Sequence, residues 1–229
     1  MAIGASRKKS DIGGDNNVFW TTMSDLMLGL AIIFMTMFVL AMTGFSQTSV
    51  HQKQEQLKAS EEIIKKLEQE NISAQVDKMT GDIKISDLEL FEVNSWTLSP
   101  KGKAYLDKLI PIYVDTIFSK EDLVNGIENI VVQGHTDSQS FSGLATKEAQ
   151  FTRNMELSLK RANSVAEYMF NTGYNKTYSD PLRKMLIVEG KSFNEPILDE
   201  NGKEDYAKSR RVELKLTVKR WDIKGALGF

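Results

Sequence analysis

Hydrophobic and polar positions divide the chain into three parts. The stretch from Leu26 to Phe45 contains twenty consecutive residues without a charge. Residues 46–80 are mostly polar and contain neither proline nor glycine. From Gly81 onward, short apolar stretches alternate with polar, turn-forming ones, as they do in globular domains. The pattern therefore predicts an apolar helix, a polar spacer and a folded domain, in that order.

The apolar run is long enough to cross a membrane, because a helix of about twenty residues extends roughly 30 Å. A cleaved signal peptide is the alternative, but its apolar region is shorter, and AMTGFSQTS is a poor cleavage site. Three cations precede the run at positions 7–9, whereas the first cation after it is Lys53. Positive charge marks the cytoplasmic side, so we expect residues 1–17 in the cytoplasm, 18–45 in the membrane and the remainder outside.

One carboxylate, Asp25, stands at the head of this run. In one interpretation the helix begins there, and Asp25 caps its N-terminus at the headgroup boundary. In the other, Val18 to Trp20 already lie in the membrane and Asp25 lies about two helical turns inside it. Carboxylates at such depth usually face partner helices or mark an ion path.

The helical phase favours the second interpretation. Asp25, Gly29, Thr36 and Thr43 lie within about 40° of one another on a helical wheel, whereas from Leu26 onward the other faces are apolar. A small, hydroxyl-bearing stripe suits close packing against partner helices rather than lipid. The carboxylate could then carry protons by alternating between its protonated and ionised forms. A sodium ion would need further oxygen ligands, for which Thr22 and Thr36 are candidates.

The same stretch resembles the transmembrane segment of MotB-type stator subunits, whose relatives include the TolR/ExbD energisers and the ZorB subunits of Zorya anti-phage systems. The matching features are the aromatic pair Phe19-Trp20, Asp25 five to six residues later, the following Leu26-Met27 and an apolar tail. The resemblance implies that Asp25 translocates the ion. It also implies a multi-span MotA/ZorA-like partner that forms a ring around the span.

The polar spacer, residues 46–81, has a weak heptad pattern. Val50, Leu57, Ile64 and Asn71 recur every seven residues, as in the seam of a parallel coiled coil, which would make the protein a homodimer. A solvated single helix or a flexible linker is consistent with the same composition. If it is helical, the spacer extends about 50 Å and separates the folded domain from the membrane. The second seam position holds Ser60, Leu67 and Ala74.

The folded domain, residues 82–221, is predicted to have the order β-α-β-α-β-β, an α+β sandwich of one sheet with helices on one side. A short tail, 222–229, follows it. Ser99 before Pro100 marks the start of the first helix, and the second helix is predicted from Asn154 to Asn171. The predicted strands lie in DIKISDLELF (82–91), NIVVQGH (129–135), KMLIVEG (184–190) and RRVELKLTV (210–218).

Five polar motifs in this domain resemble, in order, those of the OmpA-like peptidoglycan-binding domain. They are FEVNSWTLSPKG (91–102), GHTD (134–137), NMELSLKRA (154–162), GKSFNEP (190–196) and SRRVEL (209–214). The resemblance implies that Asp137 and Arg161 hold the zwitterionic end of diaminopimelate in the stem peptide. It further implies that Thr136, Asn154 and Leu157 shape the cavity, and that Arg210 or Arg211 supplies a second cation.

Alternatives remain open for these charged residues. An ammonium beside a carboxylate requires an anion and a bidentate cation held close together. The alternative is that Asp137 and Arg161 form a purely structural salt bridge. Arg210 and Arg211 could be ordinary surface charges at the start of a strand. The long stretch 138–153, and a serine at position 209 where the family usually has asparagine, leave the rim of the cavity undefined.

Composition argues against several classes of function. The net charge of −2 gives no support for nucleic-acid binding. The absence of cysteine excludes disulfides and thiolate metal sites, and two histidines, His51 and His135, do not predict a metal centre. No serine or cysteine nucleophile accompanies the His135–Asp137 motif, so we expect no catalysis and no cofactor besides a translocated H⁺ or Na⁺.

Together these features predict the ion-conducting, cell-wall-anchored B subunit of a MotB/ZorB-type stator. The predicted location is the bacterial inner membrane, with the folded domain in the periplasm. Family resemblance favours anti-phage defence over flagellar motility. A passive peptidoglycan tether would explain the folded domain but not the polar stripe, and a TolR/ExbD-like energiser would have a different outer domain.

Overall fold

The computed structural model describes residues 14–70, 72, 74–92, 95–144 and 146–219. The chain forms two compact units, Met1–Val50 and His51–Phe229. Most of the predicted cytoplasmic tail and the whole C-terminal tail lie outside the described residues. The side chains of Thr43 and Val50, and residue Asn71, lie outside them as well.

The first helix, α1 (Gly14–Gln69), contains the predicted span. Its segment Val18–Met42 has a mean hydropathy of 2.3 and is long and apolar enough to cross a membrane. Large apolar side chains all around this segment are exposed in the single chain, Leu26 by 72%. Such a surface needs lipid or another chain to cover it.

Asp25 lies three helical turns beyond the start of α1 at Gly14. The N-cap interpretation is therefore wrong, because a capping residue must precede the first turn. The residues ahead of Asp25, including Phe19 and Trp20, continue the same helix and are themselves exposed. Asp25 thus lies within the helix and not at its end.

The end of α1 belongs to the folded unit. Ala59, Ile63 and Leu67, spaced by four residues, are buried in its hydrophobic core. Glu62 forms an ion pair with Lys120 at 2.6 Å on the same side. The predicted spacer 46–81 is therefore not a separate element: two of its proposed seam residues, Ser60 and Leu67, are buried within the chain's own domain.

A five-stranded mixed sheet forms the centre of this unit, with the strand order β1-β2-β5-β3-β4. Strand β3 runs parallel to β4, and the other neighbours are antiparallel. The strands are β1 (Gln75–Val76), β2 (Ile83–Ser86), β3 (Ile127–His135), β4 (Leu186–Gly190) and β5 (Arg211–Val218). The predicted α+β class and its order of elements are confirmed, with β1 as an added edge strand.

Two long helices follow the sequence signals. In α3 (Pro100–Phe118), the Ser99 hydroxyl accepts a hydrogen bond from the Gly102 amide at 2.9 Å, as the Ser-Pro signal predicts. Helix α5 (Lys147–Met169) begins well before Asn154, and Thr146 caps it. The shorter helices are α2 (Asp87–Leu90), α4 (Glu121–Gly126), α6 (Ser179–Met185) and α7 (Tyr206–Ser209), with a 3₁₀ turn at Lys176–Tyr178.

The segment DIKISDLELF is only half strand. Strand β2 ends at Ser86, and the next four residues form the single turn α2. The Asp87 amide donates to the Arg210 carbonyl at 3.1 Å, and the Phe91 amide donates to the Asp87 carbonyl at 3.0 Å. The prediction of strand through residue 91 is therefore wrong. The bond from Asp87 to Arg210 continues the register of β2 with β5, and the chain turns only after it, where the Phe91 amide bonds back to the Asp87 carbonyl.

The two faces of the sheet differ in chemistry. Apolar residues such as Ile85, Val132 and Leu214 belong to the core. Alternating positions on β3 and β5 carry polar side chains, among them His135 and Glu213, which are also buried. His135 Nε2 lies 3.8 Å from Glu213 Oε2, and neither ring nitrogen has a hydrogen-bond partner among the residues that the structure describes.

His135 should make the folded domain sensitive to acid. Burial lowers its pKa from 6.5 to about 3, and the nearby Arg211 adds to this effect. Below pH 6.5 the unfolded state therefore binds a proton that the folded state does not, so the stability of the fold decreases as the pH is lowered. On lowering the pH from 7.5 to 4.5, we expect protonation of His135 to reduce the free energy of unfolding by about 2–3 kcal/mol. The measurement is urea unfolding of wild type and His135→Gln at both pH values. Equal losses in the two proteins would contradict the assignment.

Candidate functional site

Two glycines let α5 lie directly on the sheet. Gly134 on β3 and Gly190 on β4 are register partners. A Cβ at Gly134 would stand 1.9 Å from the Ser158 carbonyl oxygen, and one at Gly190 would stand 2.8 Å from the Ser158 hydroxyl. The close approach sets the N-terminal half of α5 beside the chain that leaves β3, where Thr136 and Asp137 follow.

A cavity of about 330 Å³ opens at this junction. It brings together six of the predicted residues from three parts of the chain: Thr136, Asp137, Asn154, Leu157, Arg161 and Arg210. The remaining lining residues are Asp87, Leu88, Phe91, Glu92, Gln139, Ser140 and Phe141. The resemblance to the OmpA-like domain therefore selects residues that the fold places around one space.

Charges of opposite sign alternate along this cavity. Arg161 Nη2 lies 3.1 Å from Asp87 Oδ2, and Arg210 Nε lies 3.9 Å from the same oxygen. Arg210 Nη1 in turn contacts Asp137 Oδ2. The order is Arg161, Asp87, Arg210, Asp137, and these four charges sum to zero, while Glu92 adds a further negative charge to the lining. Asp137 and Arg161 thus have different partners within the described ranges and do not form the simple pair considered from the sequence.

Asp87 is the site residue that sequence analysis misses. It is buried, and burial raises the pKa of its carboxyl group, while Arg161 and Arg210 oppose that effect. Burial also lowers the pKa of Arg161, an effect that Asp87 opposes. In the part of the chain that the structure describes, Asp87 Oδ1 and the Thr136 hydroxyl are buried without a hydrogen-bond partner. Buried polar atoms are rarely left unpaired. Two such atoms in one cavity are typical of a site that binds a ligand.

The network can accept a ligand that carries both an ammonium and a carboxylate. The ammonium would bind Asp137 or Asp87, and the carboxylate would bind the guanidinium of Arg161 or Arg210. Arg161 is held for this by a second hydrogen bond, from its Nε to the Ser95 carbonyl at 3.0 Å. Each protein charge would keep a partner of opposite sign during the exchange.

Of the two predicted arginines at the start of β5, only Arg210 lines this cavity. Arg211 points elsewhere, because successive residues entering a strand face opposite sides. Its guanidinium is buried beside Glu213 and donates to the Glu195 carbonyl at 3.2 Å. Ser209 accepts from the Ile197 amide at 3.0 Å, which fastens the preceding loop at this edge.

The stretch after Asp137 forms one rim of the cavity. Gln150 on α5 donates to the carbonyl groups of Phe141 and Leu144, at 2.9 and 3.0 Å, and accepts from the Phe141 amide at 2.8 Å. Ser138 contacts Glu204 through both its amide and its hydroxyl. The rim is therefore tied to α5 on one side and to the loop before α7 on the other.

The predicted ion-path residues lie in the other unit, on α1. The Thr22 hydroxyl donates to the Val18 carbonyl at 3.0 Å, and the Thr36 hydroxyl donates to the Ile33 carbonyl at 2.9 Å. Both hydroxyl hydrogens are thus used within the helix, and the oxygen lone pairs remain available to a cation or water. A side chain at Gly29 would meet no atom within 4 Å, so this face is open to close approach by another helix.

Residues 90–210 match the model of the OmpA family. The chain belongs to the OmpA family. It is 29% identical over 228 residues to Zorya protein ZorB of Escherichia coli strain Crooks, a match that covers 94% of this chain and 93% of that protein. Zorya protein ZorB of Escherichia coli O139:H28 strain E24377A is 23% identical, with 94% of this chain and 85% of that protein covered.

A solved relative supports the fold. The crystal structure of a MotB-like protein from Desulfovibrio vulgaris is 20% identical, with a TM-score of 0.51, and covers 76% of this chain and 97% of that one. The two ZorB relatives and the OmpA family model confirm the predicted resemblance to MotB/ZorB-type proteins with an OmpA-like domain. Similarity to ZorB extends over the apolar helix as well as the folded domain.

Proposed function

We propose that this chain is the ion-conducting, cell-wall-anchored B subunit of a proton- or sodium-driven stator that acts in anti-phage defence. The Arg161–Asp87–Arg210–Asp137 network, in which all but Arg210 are buried, carries the proposal, because it suits a zwitterionic ligand at a wall-facing domain. The near full-length similarity to two proteins named Zorya protein ZorB supports the defence role.

In this proposal the folded domain grips peptidoglycan. The ligand is the free end of diaminopimelate, whose ammonium binds Asp137 and whose carboxylate binds Arg161. Asn154 and Leu157 on α5 shape the side of the cavity, and Arg210 neutralises whichever carboxylate the ligand leaves unpaired. The chain is a binding and force-transmitting protein in this scheme and performs no catalysis.

The apolar helix would lie in the bacterial inner membrane, with its N-terminus in the cytoplasm and the folded domain in the periplasm. A ring of MotA/ZorA-like multi-span subunits would cover its exposed surface, around a homodimer of this chain. Asp25 would take up an ion from one side and release it to the other, assisted by Thr22 and Thr36. Because the domain is fixed to the wall, ion flow would drive movement of the ring.

Asp137→Asn should weaken binding to peptidoglycan. The substitution removes the anion that receives the ligand ammonium, and breaking a buried charged contact costs about 2 kcal/mol or more, which corresponds to roughly thirtyfold in affinity. The measurement is co-sedimentation of the full chain, in detergent, with sacculi that contain diaminopimelate. Asp180→Asn is the matched control, since Asp180 forms an exposed ion pair with Arg183 on α6.

Two measurements test whether the cavity binds diaminopimelate. If Asp137→Asn and Asp180→Asn sediment equally well, the cavity does not bind the stem peptide. Sacculi whose stem peptides contain lysine in place of diaminopimelate lack the zwitterionic end, and wild type should bind them as weakly as Asp137→Asn binds the normal wall.

A further inference from the structure

A second, larger cavity lies beside the first and has a different charge. It has a volume of about 590 Å³. Five cationic side chains line it, together with one carboxylate, Glu89. The cationic residues are Lys84, Lys101, Lys108, Lys208 and Arg211.

Neighbouring carboxylates neutralise three of these cations. Lys101 pairs with Glu89 at 2.9 Å, Lys208 pairs with Asp205 at 3.0 Å, and Arg211 contacts Glu213. Lys84 and Lys108 have no carboxylate within ion-pair distance in the ranges that the structure describes. The cavity therefore keeps an excess of about two positive charges, which suits an anionic group.

The two cavities are separated by a thin wall. Ser86 and Glu89 line the basic cavity, whereas Asp87 and Leu88 between them line the first one. On β5 the same division falls between adjacent residues, with Arg210 in the first cavity and Arg211 in the second. The two cavities therefore open on either side of the same stretches of backbone, at the turn α2 and at the start of β5.

The walls of the basic cavity also suit a peptide. Ile85 and Ile197 provide apolar surface.

We infer that this basic cavity binds a second carboxylate of the same stem peptide whose zwitterionic end occupies the first cavity. The inference rests on the proposed wall binding. The carboxylate is that of the glutamate residue preceding diaminopimelate, which stays free because that residue is joined to diaminopimelate through its side chain. Lys84 and Lys108 are the cations that receive it.

The test uses the full chain in detergent and isothermal titration calorimetry. The probes are free meso-diaminopimelate, the tripeptide alanyl-γ-glutamyl-diaminopimelate, and the same tripeptide with the glutamate carboxylate converted to a carboxamide. The variant is Lys84→Gln/Lys108→Gln. The matched control, Lys78→Gln/Lys103→Gln, removes the same charge from exposed positions near β2 and on α3 that do not line the cavity.

We expect the cavity variant to bind the tripeptide about tenfold more weakly than the control does, the effect of losing a hydrogen bond to a charged group. Binding of free diaminopimelate and of the carboxamide tripeptide should not differ between the two proteins. This double-mutant arrangement isolates the contact between the lysines and the carboxylate.

Equal tripeptide affinities for variant and control would overturn the inference. So would a loss of binding to phosphatidylglycerol vesicles with tripeptide binding intact, because the anion would then be a lipid phosphate. Failure of the proposed function is measured separately: it would appear as unchanged binding of free diaminopimelate by Asp137→Asn.

Discussion

We expect Asp25→Asn to abolish ion flow and every activity that depends on the proposed partner subunit, while binding to peptidoglycan stays at the wild-type level. Asparagine has nearly the same shape as aspartate but can neither bind nor release a proton. The neutral amide is also cheaper to place in hydrocarbon than a carboxylate, so insertion of the span does not suffer. We expect at least a hundredfold loss of flux.

The measurement has two parts. Proton or sodium flux is followed in proteoliposomes that contain the chain and its co-expressed partner, and phage plating efficiency is followed in cells. Ser24→Ala is the control, because Ser24 adjoins Asp25 but lies off the polar stripe, with its hydroxyl bound to the Trp20 carbonyl at 2.8 Å. Asp25→Glu keeps a titratable group and should retain part of the flux.

A passive tether makes the opposite prediction. If Asp25→Asn conducts ions and protects cells as wild type does, the carboxylate is not on an ion path, and the span serves only as an anchor. Loss of phage protection without any change in motility would assign the stator to defence, whereas the reverse result would assign it to a flagellar motor.

The parts of the fold that sequence analysis predicted are those with local signals. Ser99 and Pro100 mark a helix start by their own chemistry, and the structure shows the cap. Strand β3 is an apolar run bounded by turns. Helix α5 begins earlier than predicted. Residues Lys147 to Arg153 have no apolar periodicity that would indicate a helix, and its start depends instead on the Thr146 cap and the contacts of Gln150.

The missed site residue depends on long-range structure. Asp87 is 50 positions before Asp137 in the chain, and it reaches the cavity because the pairing of β2 with β5 places it opposite Arg210, where the turn α2 begins. The alternation in IKISDLELF favours a continued strand, so no local pattern reveals this turn. Motif resemblance could name Asp137 and Arg161, but it could not reveal that a third charge connects them.

The choice between Arg210 and Arg211 follows from strand alternation once the first residue of β5 is known. Val212 and Leu214 are apolar and face the core, and in a strand Arg211 must then share the opposite face with Glu213. Arg210 precedes the strand and is free to turn towards the cavity. Knowledge of where β5 begins was the missing information, and element boundaries are the least certain part of such predictions.

Gly134→Ala should destabilise the domain by about 3 kcal/mol or more, since overpacking of a rigid contact is among the costliest single changes. The added methyl carbon would stand 1.9 Å from the Ser158 carbonyl oxygen and 2.8 Å from its carbonyl carbon. Both are backbone atoms of α5, so no side-chain rotation can relieve the overlap. The helix itself must move away from β3.

This movement affects the site as well as stability, because α5 carries Asn154 and Arg161 and the chain after β3 carries Asp137. The thermal unfolding temperature of Gly134→Ala and its affinity for diaminopimelate should therefore both be lower than those of wild type. Gly173→Ala is the control: a methyl group there meets nothing within 4 Å, and we expect a change within about 0.5 kcal/mol. Because the clash at Gly134 involves the backbone, adding Ser158→Ala should not rescue it. Rescue by that second change, or wild-type stability of Gly134→Ala, would mean that α5 does not rest on β3 as described.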